Sequence, residues 1–425
     1  MLETFRNAWK IEDLRKKILF TLLMLAIYRL GVFVPIPFVD TGYLNSIIEQ
    51  GAEQGAGLLS LFNIISGGAF GNFTIFAMGI TPYINASIIM QLLTVAIPKL
   101  EQLAKEGEEG SKKIAQYTRY VTVGLAFLTS FGITFGLASG ALKYKNIGVY
   151  LLVSLTLTAG TAFLMWLGEQ ITERGIGNGI SMIIFISIIS RGPSSIEYLF
   201  QAAKSGMIQW YYIPVIAAFM VLLVAGVIYV DRGQRRIPVQ YSKRVVGRKM
   251  YGGQSTHIPM KVNSSGVLPV IFAVSFLAVP QTIAQFWPNT GFANWITKNF
   301  SQSSLPYAVI YALLIIFFTY FYTQITFNPV EISNNLRQYG GFVQGIRPGK
   351  PTADFLKRIS VRLTLVGALF LAAIAILPIV AARITKLNLG FGGTAVLIVV
   401  GVALETTKEL ESQMLMRHYK GFLNK

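Results

Sequence analysis

The chain has 425 residues, of which 53% are hydrophobic and only 13% are charged, and its formal net charge is +18. Ordinary soluble domains carry about a quarter charged residues, so this composition excludes a soluble globular protein and predicts an integral membrane protein. The chain has no cysteine, which excludes disulfides and thiolate metal sites.

Ten apolar stretches approach or exceed the roughly 20 residues that a helix needs to cross a bilayer. In chain order they are 18–34, 73–97, 117–139, 148–168, 176–190, 211–230, 263–284, 305–327, 363–382 and 389–404. An additional apolar piece at 57–70, "GLLSLFNIISGGAF", is too short to span and is typical of a re-entrant segment. We therefore predict an all-α membrane protein with ten transmembrane helices.

The first span follows a basic segment, Arg15, Lys16 and Lys17, as the apolar core of a signal peptide would. It continues into "VFVPIPFVD" without a small-residue cleavage pattern, which predicts a retained helix. Of the 37 Lys and Arg residues, 29 fall in the loops of one side and the termini, and 7 fall in the loops of the other side. Because short cytoplasmic loops concentrate these residues, both termini are predicted to be cytoplasmic.

Five spans lie in residues 1–200 and five in residues 201–425. Because five is odd, the second half must enter the membrane upside down relative to the first. This is the arrangement of an inverted repeat, whose functional site lies between the halves near the membrane midplane.

The second span has a polar stripe. At 100° per residue, the stretch "ITPYINASIIMQLL" places five residues on one helix face, apolar near the middle and polar toward the cytoplasm. They are Ile80, Ile84, Ser87, Gln91 and Thr94. Pro82 is expected to free the carbonyl of Met78 and to bend this helix.

Two other spans carry similar stripes, in which isoleucine is combined with hydroxyl residues. They are Ser264, Ile271 and Ser275 in the seventh span, and Ile180, Ile184 and Ser187 in the short fifth span. Such stripes suit an hourglass, in which watery funnels narrow to an apolar collar that stops ions by dewetting. The alternative is that the isoleucines pack against lipid or neighbouring helices, while the hydroxyls bond to their own backbone.

Catalytic and nucleotide-binding motifs are absent from the sequence. It has no GxxxxGK[ST], HExxH or GxSxG pattern, and its two histidines, His257 and His418, lie in predicted cytoplasmic segments. No carboxylate lies inside a predicted span, although a coupled transporter generally needs ionisable groups there. The protein is predicted not to be an enzyme and to hold no cofactor or metal; a five-plus-five solute transporter is the alternative.

Two cytoplasmic connections, 231–262 and 328–362, are long enough to have a function of their own. In the first, Ile237, Val239 and Tyr241 alternate with polar residues before Gly247, which predicts a strand and a hairpin. In the second, glycine and proline flank Arg347 and predict a turn that displays the arginine at a loop tip.

The sequence resembles the SecY family of protein-translocating channels over essentially its whole length. The segments that carry the resemblance include "GITPYINASIIMQLL", "KEGEEGSKKIAQYTRY", "MWLGEQITERGIGNGIS", "DRGQRRIPVQY", "QSTHIPMKVNSSGVLPVIFA", "FNPVEISNNL", "GIRPGKPT" and "FGGTAVLIVV". The resemblance implies a passive pore for unfolded preproteins in the cytoplasmic membrane, with two five-helix halves that open like a clamshell.

The same resemblance implies a ring of aliphatic residues at the constriction and a short plug helix that seals the outer funnel. The ring positions are Ile80, Ile84, Ile180, Ile184, Ile271 and Ile398. The plug positions are Leu58, Leu59, Leu61, Phe62, Asn63, Ile64 and Ile65, with Gly67 and Gly68 as a hinge.

A lateral gate for signal sequences and membrane segments is implied between the second and third spans and the seventh and eighth. Its expected residues are Asn85, Ser87, Gln91, Ser264 and Ser275. The basic loops are implied to dock the motor ATPase SecA or the ribosome, through Lys243, Arg244, Arg248, Lys249 and Arg347, although the positive-inside bias alone could explain the first four. Two small subunits, SecE and SecG, are implied as partners, and lipid surrounds the channel.

Overall fold

A computed structural model of the protein describes residues 2–40, 42, 63, 66–136, 140–206, 209–241, 244–246, 249–251, 255–285, 290–291, 295–296, 299–300, 304–385 and 393–423. The first half of the chain forms α1 (Leu2–Lys10), α2 (Glu12–Gly31), α3 (Thr81–Ala96), α4 (Pro98–Lys105), α5 (Glu108–Gly136), α6 (Ile147–Arg174), α7 (Gly179–Ile189) and α8 (Gly192–Lys204). The second half forms α9 (Tyr212–Arg232), β1 (Gln234–Tyr241), β2 (Arg244–Val246), β3 (Lys249–Tyr251), β4 (Ser255–Lys261), α10 (Leu268–Gln285), α11 (Leu305–Thr326), α12 (Pro329–Gln338), β5 (Gly341–Val343), α13 (Lys350–Thr385) and α14 (Gly393–Leu423).

Each of the ten predicted spans coincides with a helix, in chain order α2, α3, α5, α6, α7, α9, α10, α11, α13 and α14. By length and hydropathy alone, five stretches of the described chain are long and apolar enough to cross a membrane, or up to six if the bent pair α3 and α4 counts as one. The five are Ile147–Arg174, Gly179–Lys204, Tyr212–Arg232, Leu305–Gln338 and Lys350–Val380. The remaining predicted spans are shorter or carry charged residues.

Several helices extend beyond the apolar stretches that predicted them. The third predicted span begins at residue 117, but α5 begins at Glu108; α13 begins at Lys350, so the end of the predicted loop 328–362 is helical. The last helix continues to Leu423. Lys, Arg and Glu are good helix formers, so a helix does not have to end where hydropathy falls.

The predicted second span is wrong at its beginning. Residues 66–80 form consecutive turns, apart from an isolated bridge at Thr74, and α3 starts only at Thr81, with Ile80 as its N-cap. Pro82 therefore lies in the first helical turn, where the missing N–H is tolerated. The predicted bend at Pro82 is also wrong; the bend of 100° lies between α3 and α4, at Ile97.

Helices from the two halves of the chain meet at several places. Helices α1 and α7 pack against α14, and α10 packs against both α3 and α5. Within the first half, α2 contacts α6 and α7; within the second, α11 contacts α10 and α13. One large apolar cluster includes residues of both halves, so the core lies between them.

The turns at 66–80, which we call the outer segment, press closely against two helices at glycines. A Cβ added to Gly160 of α6 would lie only 1.9 Å from the carbonyl oxygen of Ile75. A Cβ added to Gly31 of α2 would lie 2.1 Å from the ring of Phe76. The backbone and side chains of the outer segment thus occupy space that any larger residue on these helices would fill.

The two long connections fold together, because one strand of the second connection joins the sheet formed by the first. Strand β1 pairs antiparallel with β4 and, through Val239 and Val343, with β5 of the second connection. Strands β2 and β3 form the hairpin that the sequence predicted, although Gly247 itself lies outside the described residues. An apolar cluster joins this sheet to α12 and to the start of α13, so the two connections form one unit.

Candidate functional site

The six predicted ring residues, which we call the isoleucine collar, belong to one apolar cluster. Ile80, Ile84, Ile184 and Ile398 are buried, with 2–7% of their surface exposed. Ile180 and Ile271 are half-buried and pack against the same cluster. Because side chains that line a wide aqueous opening would be more exposed than this, the collar is packed closed.

The collar residues share a position within their helices. Ile80 caps α3 and Ile84 lies in its first turn, while Ile180 and Ile184 lie in the first two turns of α7. Ile271 is the fourth residue of α10. Three helices, α3, α7 and α10, therefore begin beside the isoleucine collar. Ile398 lies five residues after Gly393, the first described residue of α14.

Three residues of the predicted polar stripe, Ser87, Gln91 and Thr94, lie on α3, whereas Ile80 lies at its N-cap. Gln91 Nε2 donates to Ser87 Oγ at 3.5 Å, and both residues are half-buried. Thr94 Oγ1 donates to the carbonyl of Met90 at 2.7 Å, as the alternative interpretation of such hydroxyls expects. Asn85, on another face, is also half-buried.

The other two stripes differ from their predictions. Ser264 precedes α10 and donates to the carbonyl of Lys261 at 3.2 Å, so it does not share a helix face with Ile271. Ser275 does lie on α10 and is buried. Ser187 follows Ile184 on α7, but it is fully buried in a hydrogen-bond network with α2 and does not line a watery funnel.

This network connects α2 and α7 to the beginning of the outer segment. The hydroxyl oxygens of Tyr28 and Ser187 lie 2.6 Å apart, and Tyr28 Oη donates to the carbonyl of Ser66 at 3.2 Å. Arg29 Nη1 donates to the next carbonyl, that of Gly67, at 3.0 Å. These contacts were not predicted from the sequence; the one signal for them is Arg29, a charged residue inside the first span.

Aromatic stacking supports the same junction. The ring of Tyr28 stacks on Phe76 of the outer segment with 5.9 Å between centroids, and Phe76 stacks on Phe163 of α6 at the same distance. The guanidinium carbon of Arg29 lies 5.5 Å from the centre of the Phe33 ring, in range for a cation–π interaction. The outer segment is thus fixed by both polar and apolar contacts.

Most of the predicted plug lies outside the described residues, including Leu58, Leu59, Leu61, Phe62, Ile64 and Ile65. Asn63 is described: its carbonyl accepts from the Gly68 N–H at 2.8 Å, and its side-chain oxygen accepts from the Gly71 N–H at 2.9 Å. Gly67 and Gly68 have φ of +66° and +95°, which other residues rarely adopt. The predicted hinge glycines therefore form a tight left-handed turn.

The helices predicted to form a lateral gate are in contact in this structure. Helix α10 packs on α3 and on α5, so the two halves touch along this seam. The first half also holds a cross-helix ion pair that the sequence did not predict, between Arg119 Nε of α5 and Glu169 Oε1 of α6 at 2.8 Å.

The predicted loop tip at Arg347 is a well-anchored turn. Gly345 and Gly349 have φ of +80° and +95°, and Arg347 between them is exposed. Thr352 Oγ1 donates to the Arg347 carbonyl at 2.8 Å, and Ser333 Oγ donates to the Gly349 carbonyl at 2.6 Å. These bonds fix the backbone that displays the arginine.

The other predicted docking residues lie at the β2–β3 hairpin. Arg244 and Lys249 lie on its two strands, while Lys243 and Arg248 lie outside the described residues. Among the residues that the structure describes, no group of three or more His, Asp or Glu side chains could hold a metal ion.

The comparisons with known proteins agree in one family. The SecY family model matches residues 74–407. The chain is similar to "Protein translocase subunit SecY" of Streptomyces scabiei, with 48% identity over 440 aligned positions, and to the protein of that name from Bacillus subtilis (strain 168), with 45% identity over 435. In both alignments all of this chain and all of the relative are covered.

Solved structures share the fold. One, described as the structure of a protein conducting channel, has a TM-score of 0.64 and 19% sequence identity, and the match covers 94% of this chain and 92% of that one. Another, Sec61 in a canine ribosome-channel complex from the endoplasmic reticulum, has a TM-score of 0.61 with the same identity and coverage.

Proposed function

Since the chain belongs to the SecY family and is a protein-conducting channel subunit of a membrane translocase, we propose that unfolded preproteins cross the cytoplasmic membrane through the isoleucine collar. The observation that carries this proposal is the single cluster in which isoleucines from α3, α7, α10 and α14 meet. The family assignment replaces the alternative of a solute transporter.

The collar suits this task because its side chains are aliphatic and flexible. At rest, closely packed isoleucines exclude water and so oppose ion flow by dewetting. During passage, they can move apart and contact a chain of any sequence, since dispersion contacts are not directional. The collar thereby seals the pore against ions while the polypeptide moves through it.

The region of residues 57–70 is proposed as the plug on the outer side of the collar. Its described end is supported by the hydrogen bonds of Asn63 with Gly68 and Gly71, and by the contacts of Ser66 and Gly67 with α2. Displacement of this region during transport would clear the outer funnel.

The seam of α10 with α3 and α5 is proposed as the lateral gate, with α11 beside α10. Asn85, Ser87, Gln91 and Ser275 lie on these helices, and Ser264 lies at the cytoplasmic entry to α10. An apolar signal helix that replaces the contacts across this seam can pass into lipid, because hydrocarbon solvates it as well as the protein does.

We place both termini and the β1–β5 sheet on the cytoplasmic side, from the distribution of Lys and Arg residues. The motor ATPase SecA or the ribosome is proposed to dock on this unit, and SecE and SecG to bind the helices within the membrane. Arginine at a rigid turn suits carboxylate and phosphate partners, because its planar fork makes two hydrogen bonds at once.

Arg347→Glu is expected to reduce SecA-driven transport strongly, by about tenfold or more. The substitution removes a charged hydrogen-bond donor and adds a negative charge that repels an acidic partner, and together these changes cost about 1.5–3 kcal/mol at a docking site. The measurement is ATP-dependent import of a preprotein into proteoliposomes. The matched control is Arg337→Glu, which makes the same charge change on α12 of the same connection. Equal transport by both variants would show that Arg347 is not part of the docking site.

The channel assignment of the collar and plug is tested by planar-bilayer conductance of the purified complex. The wild type is expected to be silent at rest, and deletion of residues 58–65 is expected to give large, flickering currents. If both remained silent, the proposed plug would be wrong. Preprotein import measured with the same preparations shows that the complex is intact.

A further inference from the structure

Three side chains converge on two consecutive carbonyls at the start of the outer segment. Tyr28 and Arg29, neighbours on α2, donate to the carbonyls of Ser66 and Gly67, and Ser187 of α7 contacts the Tyr28 hydroxyl. We propose that Tyr28, Arg29 and Ser187 form a latch that holds this backbone while the channel is at rest and that sets how readily the channel opens. This inference rests on the proposed function, in which the adjoining chain is the plug.

The single proton of the Tyr28 hydroxyl has two acceptors. Ser187 Oγ donates to the carbonyl of Ile183, one turn earlier on α7, at 2.7 Å, so it accepts from Tyr28 across their 2.6 Å contact. The carbonyl of Ser66, 3.2 Å from Tyr28 Oη, is the second acceptor of the same proton. This carbonyl lies at a turn, where the Ala69 N–H approaches only to 3.3 Å, so Tyr28 is its closer donor.

The latch is dry. Tyr28 is 1% exposed, Ser66 is 2% exposed and Ser187 is completely buried. Water cannot replace a hydrogen bond that breaks in such a place, so each group left unpaired opposes opening by more than it would at a surface. The space is also filled, because a Cβ on Gly67 would lie 3.2 Å from Ser187 Cα and 3.3 Å from Tyr28 Oη.

Helix α7 links the latch to the collar. Ile184 of the collar and Ser187 of the latch are three residues apart, so they lie on neighbouring positions of one helix face. When a polypeptide pushes α7 outward at Ile184, Ser187 moves with it and leaves Tyr28. Gly67 also packs against Ser187, so widening of the collar loosens the outer segment on this side, and the bonds from α2 to Ser66 and Gly67 then hold it alone.

The ring of Tyr28 and its hydroxyl can be separated by substitution. The ring stacks on Phe76, and phenylalanine preserves that contact. Only the hydroxyl reaches Ser66 and Ser187. Tyr28→Phe thus removes the hydrogen bonds of the Tyr28 hydroxyl and leaves the bond of Arg29 and the packing of α2 intact.

The test compares Tyr28→Phe with the wild type in planar bilayers, using the purified channel complex. Openings at rest are expected to be about three- to tenfold more frequent, which corresponds to loss of a hydrogen bond of ordinary strength. The single-channel current is expected to stay unchanged, and the midpoint of thermal unfolding is expected to fall by at most a few degrees, as loss of one buried hydrogen bond does in a large protein. Preproteins with weakened signal sequences are expected to be imported better.

Tyr311→Phe of α11 is the matched control. Tyr311 is also fully buried, and its hydroxyl has no hydrogen-bond partner in the described part of the chain. We expect this variant to open no more often than the wild type. Ser187→Ala leaves the Tyr28 proton to the Ser66 carbonyl alone, so this variant is expected to open less often than Tyr28→Phe. The double variant is expected to behave as Tyr28→Phe does, because the two substitutions affect the same hydroxyl pair.

An opening frequency of Tyr28→Phe equal to those of the wild type and Tyr311→Phe would overturn the latch. Deletion of residues 58–65 is measured in parallel to separate the two proposals. If the deletion leaks and Tyr28→Phe does not, the latch is wrong and the plug stands. If the deletion is silent, the proposed plug is wrong, whatever Tyr28→Phe does.

Discussion

A cysteine pair made by Gly67→Cys and Ser187→Cys is expected to stop preprotein transport completely when it is oxidised, and to restore transport when it is reduced. A Cβ at position 67 would lie 3.3 Å from the Ser187 Cβ, whereas disulfides place these atoms about 3.5–4.5 Å apart. A shift of a few tenths of an ångström therefore permits the bond. It would tie the outer segment to α7 and prevent the release that transport requires.

The chain suits this experiment because it contains no cysteine of its own, so the introduced pair supplies its only thiols. The measurement is preprotein import before oxidation, after oxidation and after reduction, with mass spectrometry to establish the bond. Each single substitution, treated in the same way, is the control, since a side chain at φ of +66° is itself strained. Normal import by the oxidised pair would show that Gly67 stays beside α7 during transport.

Ile184→Asn is expected to convert the silent channel into one that conducts ions continuously at rest. The amide brings hydrogen-bonding groups into the collar, so water can enter the constriction and the dewetting barrier falls. The measurement is the ion current of the purified complex without preprotein. Ile84→Asn and Ile271→Asn are expected to act in the same direction, because these residues pack in the same cluster.

The neighbouring residue offers a matched control. Ile183 is also buried in this cluster, with 2% of its surface exposed against 3% for Ile184, but it points about 100° away around α7. Ile183→Asn is expected to lower stability by a similar amount, about 2–5 kcal/mol, without the leak. A leak of equal size in both variants would mean that loosened packing, and not the collar, controls conductance.

Hydropathy and alternation in the sequence predicted most of the architecture. Each of the ten predicted spans includes a described helix, although residues 73–80 of the second span are not helical. The agreement follows because lipid requires about 20 apolar residues and satisfied backbone groups from any spanning segment. The hairpin after β1 followed from the alternation of Ile237, Val239 and Tyr241. The turn at Arg347 followed from glycine and proline at fixed positions.

The beginning of α3 could not be predicted in this way. Residues 73–80 are as apolar as the helix that follows, because they are buried between α2 and α6, and burial in protein and exposure to lipid select the same residue types. Pro82 was ambiguous for a related reason: it bends a helix from an interior position but starts one from the first turn. Only the position of the helix end separates these two cases.

The contacts of Tyr28 were also beyond the sequence. They join residues that are 38 and 159 positions apart, and a tyrosine near the end of a membrane helix usually marks the interface with water. Strand β5 was missed because three residues are too few to show alternation, and it forms only by pairing with β1 of another connection.

The positions at which α3, α7 and α10 begin have an electrostatic consequence for the collar. The first turn of a helix presents unpaired N–H groups, and the aligned peptide dipoles give this end roughly half a positive charge. Three such ends lie within two turns of Ile80, Ile180 and Ile271. A cation that enters the constriction therefore meets repulsion from several sides, while an anion does not. Any ions that pass an imperfectly closed collar should be mainly anions, so protons and other cations leak least.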